Sequence, residues 1–115
     1  MATFVIDDDT VTLELSPAEK FEALHGNISV PRSAITGVRT VPDGMDELHG
    51  LRMPGTGIPG LLMVGTLRSG DLVTFAVCHA RRRAVVVDLT GQEYDKLVVT
   101  ADDAEDVVAR LTAGR

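Results

Sequence analysis

Tryptophan is absent from this sequence, and tyrosine occurs once and phenylalanine three times among 115 residues. Single-stranded nucleic acid is held on repeated exposed aromatic rings, and such platforms are missing. Positive charge is also scarce: 11 Lys and Arg stand against 17 Asp and Glu, a formal charge of −6. Phosphate contacts need clustered cations in a favourable field, so no nucleic-acid partner is expected. The single cysteine, Cys78, excludes an intrachain disulfide and fits a reducing compartment. Apolar runs such as Leu61 to Val64 fall far short of the roughly 20 residues of a membrane span. The first residues, Met1-Ala2-Thr3-Phe4, carry no basic stretch leading into an apolar run. A cytoplasmic location is expected, with no membrane attachment.

Aliphatic residues are plentiful. Hydrophobic residues make up 44% of the chain but aromatics only 3%, so the core must be built from Val, Leu, Ile and Ala. Phe4, Phe21, Phe75 and Tyr94 are its expected large pieces. For 12.3 kDa, surface scaling gives roughly 6,000 Å² folded against about 18,000 Å² unfolded. That burial sustains one core without a disulfide or metal, and a single domain over 1–115 is expected.

Alternation of apolar and polar residues marks half-buried strands. Thr3 to Ile6 and Thr10 to Leu15 form a hairpin around Asp7-Asp8-Asp9. A calcium site wants spaced carboxylates and a distal bidentate Glu, so the three aspartates read as a solvated turn. Ser16-Pro17-Ala18-Glu19 opens a short helix with a capping box, stopped near Gly26, with Ala18, Phe21 and Leu24 expected inward. Strands follow over 27–30 and 35–41. The stretch from Pro42 to Gly60 holds five of the eleven glycines and three of the five prolines. It reads as a long loop, which in a compact domain is either packed and irregular or functional. Further strands are expected over 61–67, 72–79, 84–89 and 97–100, with turns at Ser69-Gly70, Arg81-Arg82-Arg83 and Thr90-Gly91. Ala104, Val107, Val108 and Leu111 fall on one helical stripe. Asp102, Asp103, Glu105 and Asp106 lie at the start of that helix and Arg110 towards its end, as the helix dipole favours. Thr100 and Asp102 are both possible caps, and Gly114 ends the helix. The pattern gives a mainly β domain with a capping helix, of about eight strands.

Chemical motifs are weak. Gly55-Thr56-Gly57-Ile58-Pro59-Gly60 matches the dinucleotide fingerprint in letters. That fingerprint works at a turn from a strand into a helix, whereas a strand pattern follows here, so a shaped structural loop is expected. His25, His49 and His79 are scattered without the close-spaced pairs that hold zinc. Cys78 and His79 are adjacent in a strand and point to opposite faces, so they cannot act as nucleophile and base. No cofactor, metal or enzymatic activity is expected. Arg81, Arg82 and Arg83 are the one dense basic run. They are a candidate anion contact, set against the commoner reading of a solvated turn guarding a sheet end.

Several segments together resemble the bacterial pleckstrin-homology-like domain proteins, over almost the whole chain. They are Ile28-Ser29-Val30-Pro31-Arg32-Ser33-Ala34-Ile35, then Arg52-Met53-Pro54-Gly55-Thr56-Gly57-Ile58-Pro59-Gly60, Gly65-Thr66, Ala84-Val85-Val86-Val87 and Tyr94-Asp95-Lys96-Leu97-Val98-Val99. The resemblance implies a partly open barrel of two antiparallel sheets, of about seven strands, plugged by the C-terminal helix. It implies no catalytic residues. It does not bring phosphoinositide binding, because the first turn here is acidic. A fold of this kind hosts several kinds of binding. The expected function is a non-enzymatic protein-interaction or self-assembly module, an oligomer or the partner of another protein, with Arg52 to Gly60 as the interaction loop. The alternative is a small-ligand or lipid-binding domain using the barrel mouth or the glycine-rich loop.

Overall fold

The computed structural model describes residues 2–23, 26–48, 51–58 and 61–113, with the side chains of 22, 23 and 51–58 left out. The expectations placed on Leu24, His25, His49, Pro59, Gly60 and Gly114 lie outside the described residues. Nine strands are found among the described residues, in a three-stranded and a six-stranded sheet. No strand pair joins the two sheets into a closed barrel. The accessible surface is 6024 Å², as mass scaling anticipates.

The smaller sheet is β1 (Thr3–Ile6), β2 (Thr10–Glu14) and β3 (Ile28–Pro31). Asp7 N–H donates to Thr10 C=O at 2.9 Å and closes the expected acidic turn. Val11 and Leu13 of β2 and Ile28 and Val30 of β3 turn into the core, the period-two pattern carried out.

Between β2 and β3 lies α1 (Pro17–Ala23). Its capping box forms in both directions: Glu19 N–H donates to Ser16 Oγ at 3.2 Å, and Ser16 N–H donates to Glu19 Oε1 at 2.8 Å. Glu19 Oε2 also accepts the Ala2 N–H at 3.0 Å, and Glu19 is buried. This fixes the rotation of the helix, and it overturns the expected inward face. Phe21 stands about 200° around the helix from Glu19 and is 80% exposed. Ala18 is exposed too. Satisfying three polar groups at the helix start outweighed burying one ring.

The larger sheet contains β4 (Ile35–Val41), β5 (Leu51–Ile58), β6 (Leu62–Ser69), β7 (Leu72–His79), β8 (Ala84–Leu89) and β9 (Lys96–Thr100), in the order β4-β8-β9-β7-β6-β5. Two features depart from expectation. First, β7 and β8 do not form a hairpin across the arginine turn. β9 lies between them, parallel to β7 and antiparallel to β8. A strand apolar on both faces is stable between two neighbours, and β9 has Leu97, Val98, Val99 and Thr100 all buried. Second, Pro42 to Gly60 is not one loop. It holds a 3-10 turn at Gly44–Glu47 and the strand β5. Proline and glycine are tolerated there because β5 is the terminal strand, with a register shift between Arg52 and Gly55 around Pro54.

The core has two layers. The main one joins Phe4, Val11, Leu13, Val30, Phe75, Val85, Val87, Leu97 and Val99, and α2 (Ala104–Thr112) seats Ala104, Val107 and Leu111 in it. Asp103 occupies the α2 cap position, without a side-chain cap bond, in place of either expected capping residue. On the other face of the larger sheet, Met63, Leu67, Ala76, Cys78, Ala84, Val86 and Val98 form a second cluster, overlaid by Met45 and Leu48. Gly44 is needed there. A Cβ at that position would stand 2.7 Å from Ala84 Cβ and 3.0 Å from Cys78 Sγ.

Candidate functional site

The segment expected to be an interaction loop, Arg52, Met53, Pro54, Gly55, Thr56, Gly57 and Ile58, is edge strand rather than loop, paired with β6 from Leu51↔Arg68 to Ile58↔Leu62. Pro59 and Gly60 of the same candidate lie outside the described residues. β6 follows, not a helix, so the glycine motif builds no helix N-terminus to face a pyrophosphate. Helix α1 rests on β5 and β6. Phe21 on that helix and Leu61 in the β5–β6 connection are 80% and 51% exposed.

The arginine run forms the turn from β7 to β8, and its three side chains are exposed. Arg81 takes a left-handed backbone, φ 60, and its N–H donates to Asp43 Oδ2 at 2.9 Å. Arg83 pairs with Glu105 on α2, and this holds the Glu105 carboxyl below its ordinary range. One member of the run is therefore held by its backbone and another is spent on a helix contact.

Cys78 is fully buried beneath Gly44, and its thiol donates to Val98 C=O at 3.3 Å. Burial, reinforced by the Asp43 carboxylate, pushes the thiol pKa up to about 12. A nucleophilic cysteine needs the opposite, an accessible thiolate near a cation. His79, on the other face of β7, is half-buried, and its backbone N–H donates to Thr100 Oγ1 at 2.9 Å. Among the described residues, no group of three His, Cys, Asp or Glu is placed to hold a metal ion. No described helix is long and apolar enough to cross a membrane.

Two clefts are lined by described residues. One of ≈ 210 Å³ lies between Ala2–Phe4 and the 100–103 segment leading into α2. Among the described residues its one cation, Arg110, is bound to Asp106 at 3.2 Å. The other, of ≈ 240 Å³, runs between Asn27-Ile28-Ser29-Val30 and Gln92-Glu93-Tyr94. Tyr94 fixes the second wall: its ring meets Phe75 edge-on, centroids 5.4 Å apart, and its hydroxyl lies 3.5 Å from Thr66 Oγ1. Burial raises the Tyr94 pKa. Both clefts are smaller than the roughly 300–1,000 Å³ of ordinary small-molecule sites. Sequence reading missed the second cleft because its walls lie far apart in the chain and neither carries a motif. Its only early signal was the position of Pro31 at the end of a short strand.

No family model, curated protein or solved structure matches this chain.

Proposed function

We propose that the chain is a non-enzymatic, pleckstrin-homology-like domain that works by protein association, with a second copy as partner, through the surface formed by α1 and the β5–β6 edge. The observation that carries this reading is Phe21, 80% exposed on a helix that rests on the terminal strand pair of the larger sheet. Covering a phenylalanine removes roughly 150–250 Å² from water, and Leu61 in the β5–β6 connection is a second exposed apolar side chain, at 51%. The two-sheet β architecture with its C-terminal helix supports the family part of the proposal. The sealed thiol of Cys78 and the pairing of Arg83 with Glu105 favour association over catalysis. A cytoplasmic setting suits a thiol kept reduced.

Light scattering across a concentration series tests the proposal. A reversible dimer is expected, and Phe21→Ser should weaken it by about tenfold or more. A chain that stays monomeric at every concentration would overturn the proposal.

A further inference from the structure

The edges of the two sheets are not equally protected. Natural edge strands are blunted by proline, bulges, charge or a covering element. β5 has Pro54 beside a register shift, while α2 lies against β4 and β1. The outer edge of β3 is different. Its register with β2 is unbroken from Thr10↔Pro31 to Leu13↔Ile28, and Asn27 to Val30 carry no charge.

The direction of its backbone groups follows from three contacts. Arg32 N–H donates to Asp9 C=O at 2.9 Å, Val30 stands opposite Val11 and Ile28 opposite Leu13. Successive residues of a strand send their backbone N–H and C=O to opposite sides. Residues 28, 30 and 32 therefore face β2, and Asn27, Ser29 and Pro31 face outward. Pro31 agrees with this, since its missing N–H falls on the side without a partner strand. Four consecutive residues line one wall of the ≈ 240 Å³ cleft. Side chains alternate between the two faces of a strand, so that wall is the strand's edge.

We propose that the outer edge of β3 and the facing Gln92-Glu93-Tyr94 segment form a slot for an extended segment of a partner protein, which adds as a fourth strand to the three-stranded sheet. Main-chain bonding to an exposed edge supplies affinity, and alternate side chains supply specificity. The partner's residues on one face lie beside Ile28 and Val30, which are buried, and must be apolar. Those on the other face lie beside Ser29, whose hydroxyl is 2.8 Å from that of Thr12, and are polar. Among the described residues, Glu93 is the one charged residue lining the slot, in a chain of net charge −6. The partner segment therefore carries a lysine or arginine. The slot is distinct from the α1 surface, and its test does not depend on self-association.

The probe is an acetylated, amidated peptide of sequence Thr-Val-Lys-Val-Thr-Lys, titrated into the full chain while backbone amides are followed by NMR. Saturable binding with shifts centred on 27–30 and 92–94 is expected. A peptide N-methylated at its central amides, which cannot complete the ladder, should bind about tenfold more weakly. Ser29→Pro removes an outward N–H, leaves the backbone bonds to β2 in place and loses the hydroxyl contact to Thr12; it should have a similar effect, while Ser29→Ala, which loses that contact alone, should bind as the native chain does. Glu93→Gln should weaken binding about threefold. If Ser29→Pro fails to fold, the N-methylated peptide against the native chain decides. Absence of binding, equal binding of the N-methylated peptide, or shifts elsewhere would overturn the proposal. So would a concentration-dependent dimer protecting 27–31, which would make a second copy the occupant.

Discussion

The carboxylate of Asp43 bridges the arginine turn and the 3-10 turn: Oδ2 accepts the Arg81 N–H at 2.9 Å while Oδ1 accepts the Met45 N–H at 3.0 Å. Those turns approach the second apolar layer from different parts of the chain. Joined through one side chain, they hold Gly44 against Ala84, Cys78 and Val98.

Asp43→Ala removes a helix cap and a second acceptor together. The expected loss is about 2 kcal/mol in urea unfolding, with faster labelling of Cys78 by a thiol reagent. Asp43→Asn keeps one acceptor and should cost about half as much. An unchanged midpoint would show that Met45 and Leu48 hold the turn by packing alone.

Gly44→Ala tests the close approach. The added methyl would stand 2.7 Å from Ala84 Cβ, closer than packed carbons tolerate, and overpacking of this kind costs about 1–3 kcal/mol. Combining it with Ala84→Gly should recover part of the loss, read as a coupling energy in a double-mutant cycle. Simple additivity would place the cost elsewhere.

Cys78 sets an alkaline limit on stability. Its thiol ionises at 9.0 when free of the fold but only at about 12 within it. The folded state therefore holds a proton that the unfolded state has lost between those values. Stability is unaffected below pH 9.0 and falls as pH rises from there towards 12, by up to about 1.4 kcal/mol per pH unit. Cys78→Ala should flatten this limb in pH-dependent denaturation. A limb unchanged by the substitution would assign it to other groups.

Local periodicity made much of the fold legible. Ala104, Val107 and Leu111 show the helical stripe in the letters alone and are buried as expected, and the β1–β2 hairpin follows from clean alternation around three aspartates. The sheet order was not legible. β7, β8 and β9 are apolar on both faces, so no alternation says which neighbour each takes, and β9 entered between strands that adjacency in sequence would pair. β5 was hidden because Pro54 and its glycines speak against a strand unless the strand is known to be an edge. Phe21 is exposed despite its hydrophobicity because the Glu19 carboxylate accepts the Ala2 and Ser16 N–H groups and turns the other side of the helix inward. The β3 slot depends on backbone direction, which composition does not carry.

The position of β9 also orders the chain's assembly in time. The middle of the larger sheet is filled by the strand made last among those described, after β7 and β8 on either side of it. While the chain is being synthesised, both flanking strands wait with their facing edges unpaired, whereas the β1–β2 hairpin can close as soon as it emerges. Non-local pairing of this kind slows folding and lengthens the exposure of open strands. Residues 96–100 thus act as the closing key of the sheet, and the nascent protein is most in need of protection just before they arrive.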